Sequence, residues 1–149
     1  MRAIGRTYLF RLNEDRAIVS EVLKPLILSE KVLSERLFDI IRVAIRKSAL
    51  KDDIMSVALF GSVYTKTERA NSDVDLLVVV KTAELKRKAE ALFSEIDRQM
   101  SSQLGNLISP YVNSLAEFKR KAKKKTGIVP NILKSYQLIY GDRLEKLLR

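Results

Sequence analysis

Two aspartates one residue apart, Asp73 and Asp75, enter the apolar run Leu76 to Val80. Side chains of a strand alternate between its faces, so the two carboxylates share one face while Val74 takes the other. A carboxylate pair on a rigid strand suits a hard divalent cation such as Mg²⁺ or Mn²⁺, whose remaining ligands come from water and substrate phosphates. Upstream, Gly61 and Ser62 leave a second apolar run, Ile54 to Phe60. Glycine permits a sharp turn and close approach of a ligand. Ser62 offers a hydroxyl and an amide where a predicted helix, Val63 to Arg69, begins, a place that favours phosphate. A nucleoside triphosphate would bridge the Gly61-Ser62 turn and a metal held by Asp73 and Asp75, which is the arrangement for in-line displacement at phosphorus.

The spacing is specific. Gly61-Ser62, nine residues, Ser72-Asp73-Val74-Asp75 and then Leu76-Leu77-Val78 resemble the signature of the DNA polymerase β-like nucleotidyltransferase superfamily, especially its minimal nucleotidyltransferases. The resemblance implies that Asp73 and Asp75 ligate the metal, that Gly61 and Ser62 hold the β- and γ-phosphates, and that Ser72 orients the metal-binding turn. It implies transfer of a nucleoside monophosphate to an acceptor hydroxyl with release of pyrophosphate. Minimal members often act as antitoxins that modify a HEPN-type partner protein, so a protein acceptor is one expectation, beside RNA or a small molecule.

Two features depart from the pattern. Where many members carry a small residue after Gly-Ser, this chain has Tyr64-Thr65-Lys66; Lys66 either reaches the triphosphate or is a solvated lysine on an exposed helix. The family's third carboxylate, carried on a later strand, is also absent from Asn106 to Val112. Asn106 or Ser109 takes its place, and neither is a general base comparable to a carboxylate. The alternative is therefore a catalytically impaired regulator that binds nucleotide or nucleic acid with the same fold.

Composition narrows the chemistry. The 149 residues contain neither cysteine nor histidine, which excludes disulfides, thiol chemistry and imidazole catalysis, and leaves only oxygen ligands for a metal. No run is long and apolar enough for a bilayer span and no signal-peptide core follows Met1, so a cytoplasmic protein without membrane association is expected. The net charge of +10 favours polyanionic partners, nucleic acid and triphosphates alike. A dense basic run, Lys119 to Lys125, either guides such a partner or is a solvated helix face. The second reading is favoured because no aromatic residues are interleaved for base stacking. Tyr111, Tyr136 and Tyr140 read as core or edge residues.

The elements that must position this chemistry follow from periodicity. Thr7 to Leu12 alternates like a strand without a nearby upstream partner. Asn13 is placed to cap a helix to about Leu23, and Pro25 is expected to interrupt it. Gly5 to Lys24 resembles the wing and connector of a winged helix-turn-helix joined to a nucleotidyltransferase. Its strand would pair with residues encoded upstream or with a second subunit in a homodimer. This divides the chain into a wing-like segment, 1–25, and a nucleotidyltransferase domain, 26–149. A helix from Leu26 to Lys47, strands at Ile54 to Phe60 and through Val80, a helix from Ala83 to Leu104 and a strand from Leu107 to Val112 should follow. Leu115, Phe118 and Ala122 mark another helix, Tyr136 to Tyr140 an edge strand, and Asp142 to Leu148 a short helix. The fold class is α/β (α+β), a mixed sheet flanked by helices.

Overall fold

The computed structural model describes residues 2–4, 7–9, 16–61, 74–104, 108–124 and 126–149. They form two compact units, Met1–Leu37 and Phe38–Arg149.

In the first unit, strands β1 (Arg2–Ile4) and β2 (Thr7–Leu9) pair antiparallel, with Ile4 opposite Thr7 and Arg2 opposite Leu9. The expectation that the strand at Thr7 lacks an upstream partner is thereby corrected. Three residues are too few for alternation to show, so Arg2–Ile4 escapes a periodicity reading. Pro25 brings a second correction. Helix α1 (Lys24–Lys47) carries it without interruption, and the six residues before it, Ile18–Leu23, wind as a π-helix. Proline lacks the N–H for an i→i−4 bond and crowds the carbonyl four residues back. A wider turn immediately upstream accommodates that loss. Asn13 lies outside the described residues.

The second unit is built on a four-stranded sheet of order β5-β4-β3-β6, formed by β3 (Ile54–Phe60), β4 (Val74–Val80), β5 (Ile108–Ser114) and β6 (Gln137–Gly141). Strand β3 runs antiparallel to β4 and β6, whereas β4 and β5 are parallel. The sequence explains which strands are central. IMSVALF and VDLLVVV are near-continuous apolar runs, as strands covered on both faces require. Flanking β5 carries Pro110, whose missing N–H an edge strand tolerates.

Helix α2 (Lys86–Leu104) makes the crossover between the parallel strands. It buries Ala89, Phe93, Ile96 and Met100, a stripe at helical spacing. Helices α3 (Leu115–Ala122) and α4 (Ile128–Lys134) and the 3₁₀ turn Lys146–Leu148 follow β5 and β6. Their Phe118, Val129, Ile132 and Leu147 pack with Leu144 on Ala58, Leu77 and Val79 of the sheet. Because side chains alternate along β4, this is also the face that carries Asp75. Helix α4 was not anticipated: IVPNILK is short and contains a proline, but Pro130 stands in the first turn, where its missing N–H costs nothing.

Helix α3 begins with a capping box. The Glu117 N–H donates to Ser114 Oγ at 3.2 Å and the Ser114 N–H donates to Glu117 Oε2 at 3.1 Å. Lys86, at the start of α2, adds hydrogen bonds of 2.9 and 3.1 Å to the same carboxylate. The Lys86 bond, then the Ser114 N–H, hold Glu117 below its ordinary range despite some burial. Replacing Ser114 by alanine should cost about 0.5–2 kcal/mol of stability in urea denaturation. A carboxylate with a depressed folded pKa stabilises fully above its unfolded value, and that contribution is lost as pH falls through the folded value. Glu117→Gln should therefore lower stability at neutral pH and flatten the acid limb of the stability curve below about pH 4. Denaturation at a series of pH values reads both effects.

Candidate active site

The site is built where β3 ends and β4 begins. In the antiparallel ladder Phe60 lies opposite Asp75, so the first residue past β3, Gly61, is beside the carboxylate. Gly61 adopts φ +83°, the left-handed region. A Cβ added there would run into the Asp75 carboxylate, with Cγ only 3.2 Å away. Glycine is thus needed for two reasons: it takes the backbone conformation without strain, and its missing side chain leaves the space the carboxylate fills. Asp75 is half-buried while its neighbours Val74 and Leu76 are fully buried. The carboxylate is thus held at the sheet's end by an apolar strand, with one side toward solvent.

On the other side of β4, Asp75 is in register with Ser109 of β5. Parallel register partners project to the same face, so the β5 position that lies beside Asp75 holds an exposed hydroxyl. Of the two residues proposed for the place of a third carboxylate, Ser109 is the one paired with Asp75. Asn106 lies outside the described residues. The start of β5 is fixed from α2, where Asp97 Oδ1 accepts a 2.6 Å hydrogen bond from the Ile108 N–H.

Of the other predicted site residues, Ser62, Lys66, Ser72 and Asp73 lie outside the described residues. Among the described residues no group of three carboxylates could hold a metal. Asp75 offers a hard oxygen donor of the kind Mg²⁺ and Mn²⁺ prefer, and its position against the Gly61 backbone is compatible with a cation held together with phosphate oxygens.

The basic run also has a defined place. Helix α3 leaves the end of β5 at Ser114 and doubles back along it, since Lys121 Nζ donates to Tyr111 OH at 2.9 Å and also to Asn113 Oδ1. The ammonium sits 4.8 Å from the Tyr111 ring centroid. The basic end of α3 is consequently directed toward the Asp75 end of the sheet. Lys119 is half-buried there, and Arg120, Lys123 and Lys124 are exposed. The hydroxyls of Tyr111, Tyr136 and Tyr140 are engaged by the protein. Besides Tyr111, Tyr136 OH donates to Glu145 at 2.7 Å and accepts from the Leu144 N–H, and Tyr140 OH donates to the Lys51 carbonyl. This agrees with their reading as core and edge residues.

Residues 43–143, from the last turns of α1 through β6, match the family described as "Polymerase beta, Nucleotidyltransferase". The chain belongs to that family. As a polymerase β nucleotidyltransferase it has the family's mixed four-stranded sheet with flanking helices. Among solved structures it is similar to spectinomycin adenyltransferase AAD(9) from Enterococcus faecialis, crystallised with ATP and spectinomycin. That likeness has a TM-score of 0.55 and 21% identity, over 77% of this chain and 59% of that one. It is also similar to a toxin-antitoxin structure with AMP-PNP, with a TM-score of 0.46 and 16% identity, over 74% of this chain and 80% of that one. No curated protein sequence matches it.

Sequence reasoning on the nucleotidyltransferase motif named Gly61 and Asp75 but missed their direct contact, which only the β3/β4 register reveals. Gly61→Ala should cost about 1–2 kcal/mol through φ alone. It should also displace the Asp75 carboxylate, so triphosphate affinity should fall by more than the stability loss accounts for. Urea denaturation and a triphosphate titration of the same variant check the two parts separately.

Proposed function

We propose that this nucleotidyltransferase is Mg²⁺- or Mn²⁺-dependent and transfers a nucleoside monophosphate from a nucleoside triphosphate to an acceptor hydroxyl. The observation that carries this reading is the Asp75 carboxylate seated against Gly61 where β3 ends and its antiparallel partner β4 begins. In this reading Asp73 and Asp75 hold the metal, Gly61 and Ser62 bind the β- and γ-phosphates through backbone N–H groups and the hydroxyl, Lys66 reaches the triphosphate, and Ser72 orients the turn. Bound there, the cation supplies charge stabilisation for the pentacoordinate phosphorus and the departing pyrophosphate. The acceptor oxygen bonds to the α-phosphorus, the bond from that phosphorus to the α,β-bridging oxygen breaks to release pyrophosphate, and the hydroxyl proton passes to solvent water. The basic end of α3 favours approach of the polyanionic triphosphate.

The acceptor is a hydroxyl of a protein, an RNA or a small molecule. A HEPN-type toxin, with this chain as its antitoxin, is the protein acceptor suggested by the resemblance to minimal nucleotidyltransferases. A second reading has one specific observation in its favour: Ser109, not a carboxylate, stands beside Asp75. Serine does not take the acceptor's proton at neutral pH, and loss of a general base costs about 10²–10⁴ in rate. On that reading the chain binds nucleotide and turns over slowly.

Incubation of the pure protein with α-labelled triphosphates, Mg²⁺ or Mn²⁺ and cell extract, followed by a search for labelled acceptor, tests the transfer. Asp75→Asn should abolish labelling while the far-ultraviolet circular dichroism stays native. Labelling that persists in this variant would remove Asp75 from the reaction. Ser109→Asp should raise the labelling rate if the missing base limits turnover; an unchanged rate would argue against the impaired reading.

A further inference from the structure

We propose that the pole of the sheet opposite Asp75 holds a second ligand site, for a phosphorylated small molecule of mononucleotide size. Strand β3 starts at this pole with Ile54 opposite Val80, and β6 ends here with Gly141 opposite Ser56. The six-residue rise along β3 puts it about 20 Å from the Phe60–Asp75 pair. A cleft of about 550 Å³ opens here, within the range of about 300–1,000 Å³ for small-molecule sites.

The cleft has two kinds of wall. The half-buried Met55 and Tyr140, backed by the buried Ile54 and Ile139, provide an apolar and aromatic side, and Arg42, Arg46, Lys51 and Lys81 surround it. Arg42 and Arg46 stand one turn apart on α1, so both project to one side of the helix. The Arg42 guanidinium is already oriented, because Nε donates to the Ile139 carbonyl at 3.0 Å and Nη1 to Asp39 at 2.9 Å. A fixed guanidinium suits phosphate recognition, since less side-chain freedom is lost on binding.

Asp39 already pairs with Arg42 at 2.9 Å, which leaves Arg46, Lys51 and Lys81 to set the charge of the cleft. Asp142 lines the cleft but is paired with Lys146 at 2.7 Å. Asp53 approaches Lys81 at 3.3 Å with both side chains partly exposed, a kind of pair that is cheaply loosened. Asp52 is the remaining carboxylate of the lining. An apolar wall opposite a cationic rim matches a ligand with a planar or apolar body and a phosphate, more closely than it matches a free inorganic anion. The cleft is of mononucleotide size, which favours a small molecule over a nucleic-acid strand.

The test uses the full chain carrying Asp75→Asn, without divalent metal, so that binding is read independently of the proposed catalytic site. AMP, inorganic phosphate and a single-stranded RNA 12-mer are titrated by heteronuclear NMR. AMP is expected to shift the amides of Lys51, Met55 and Tyr140, to bind about tenfold more tightly than inorganic phosphate, and to lose about tenfold or more in affinity in Arg46→Glu/Lys51→Glu. If that variant does not fold, Arg46→Ala/Lys51→Ala replaces it, with a smaller loss expected. Four results would each overturn the proposal: no AMP binding at millimolar concentration, equal affinity for AMP and phosphate, AMP affinity unchanged by the variants, or RNA binding far tighter than AMP.

Discussion

The antiparallel pairing of β3 with β4 is the constraint on which the candidate chemistry depends. Its register sets Phe60 opposite Asp75 and so delivers the first residue beyond β3 to the carboxylate two positions into β4. A shift of one residue would turn Asp75 to the other face. That face presents the buried Val74, Leu76, Val78 and Val80, so a slip would bury a charge among apolar side chains. Hydrophobic burial therefore fixes the register, and the register places the carboxylate. Chemistry at the strand end is maintained by packing along the rest of the strand.

The remaining elements act on this corner from two sides. Through the crossover helix α2, β5 is returned parallel to β4, which puts Ser109 level with Asp75. Asp97 holds the backbone there with its bond to Ile108 N–H. From the far end of β5, α3 turns back under a capping box and carries its cations toward the carboxylate. Cations at a helix C-terminus also complement the helix dipole, so the same residues add to the stability of α3. The opposite pole, where α1 meets β6 through Arg42, has its own basic and apolar cleft.

Much of this was legible because the signals were long or chemically unusual. The apolar runs at Ile54 to Phe60 and Leu76 to Val80 are short and bounded by polar residues, which fits central strands, and the stripe through Ala89, Phe93, Ile96 and Met100 fits a buried helix face. Gly-Ser at a fixed offset from Asp-x-Asp pointed to the family. What stayed illegible was short or relational. Strands of three residues carry no period, and IVPNILK hides a helix behind a proline that is harmless in the first turn. Pro25 misled because the π-turn that accommodates it leaves no mark in composition. The Ser114-x-x-Glu117 signature was present and readable but unread. Whether Asn106 or Ser109 lies beside Asp75 was a question of register between strands far apart in sequence, and no local pattern answers that.

The proposed transfer requires the Gly61–Asp75 corner to hold a metal-bound triphosphate. The most direct test is paramagnetic broadening of amide resonances by Mn²⁺ added with a non-hydrolysable triphosphate. Broadening strongest at Gly61, Asp75 and Ser109, and far weaker at Met55 and Gly141 about 20 Å away along the strands, is the predicted result. Broadening centred on Met55 and Gly141, or absent from Asp75 at saturating triphosphate, would contradict it.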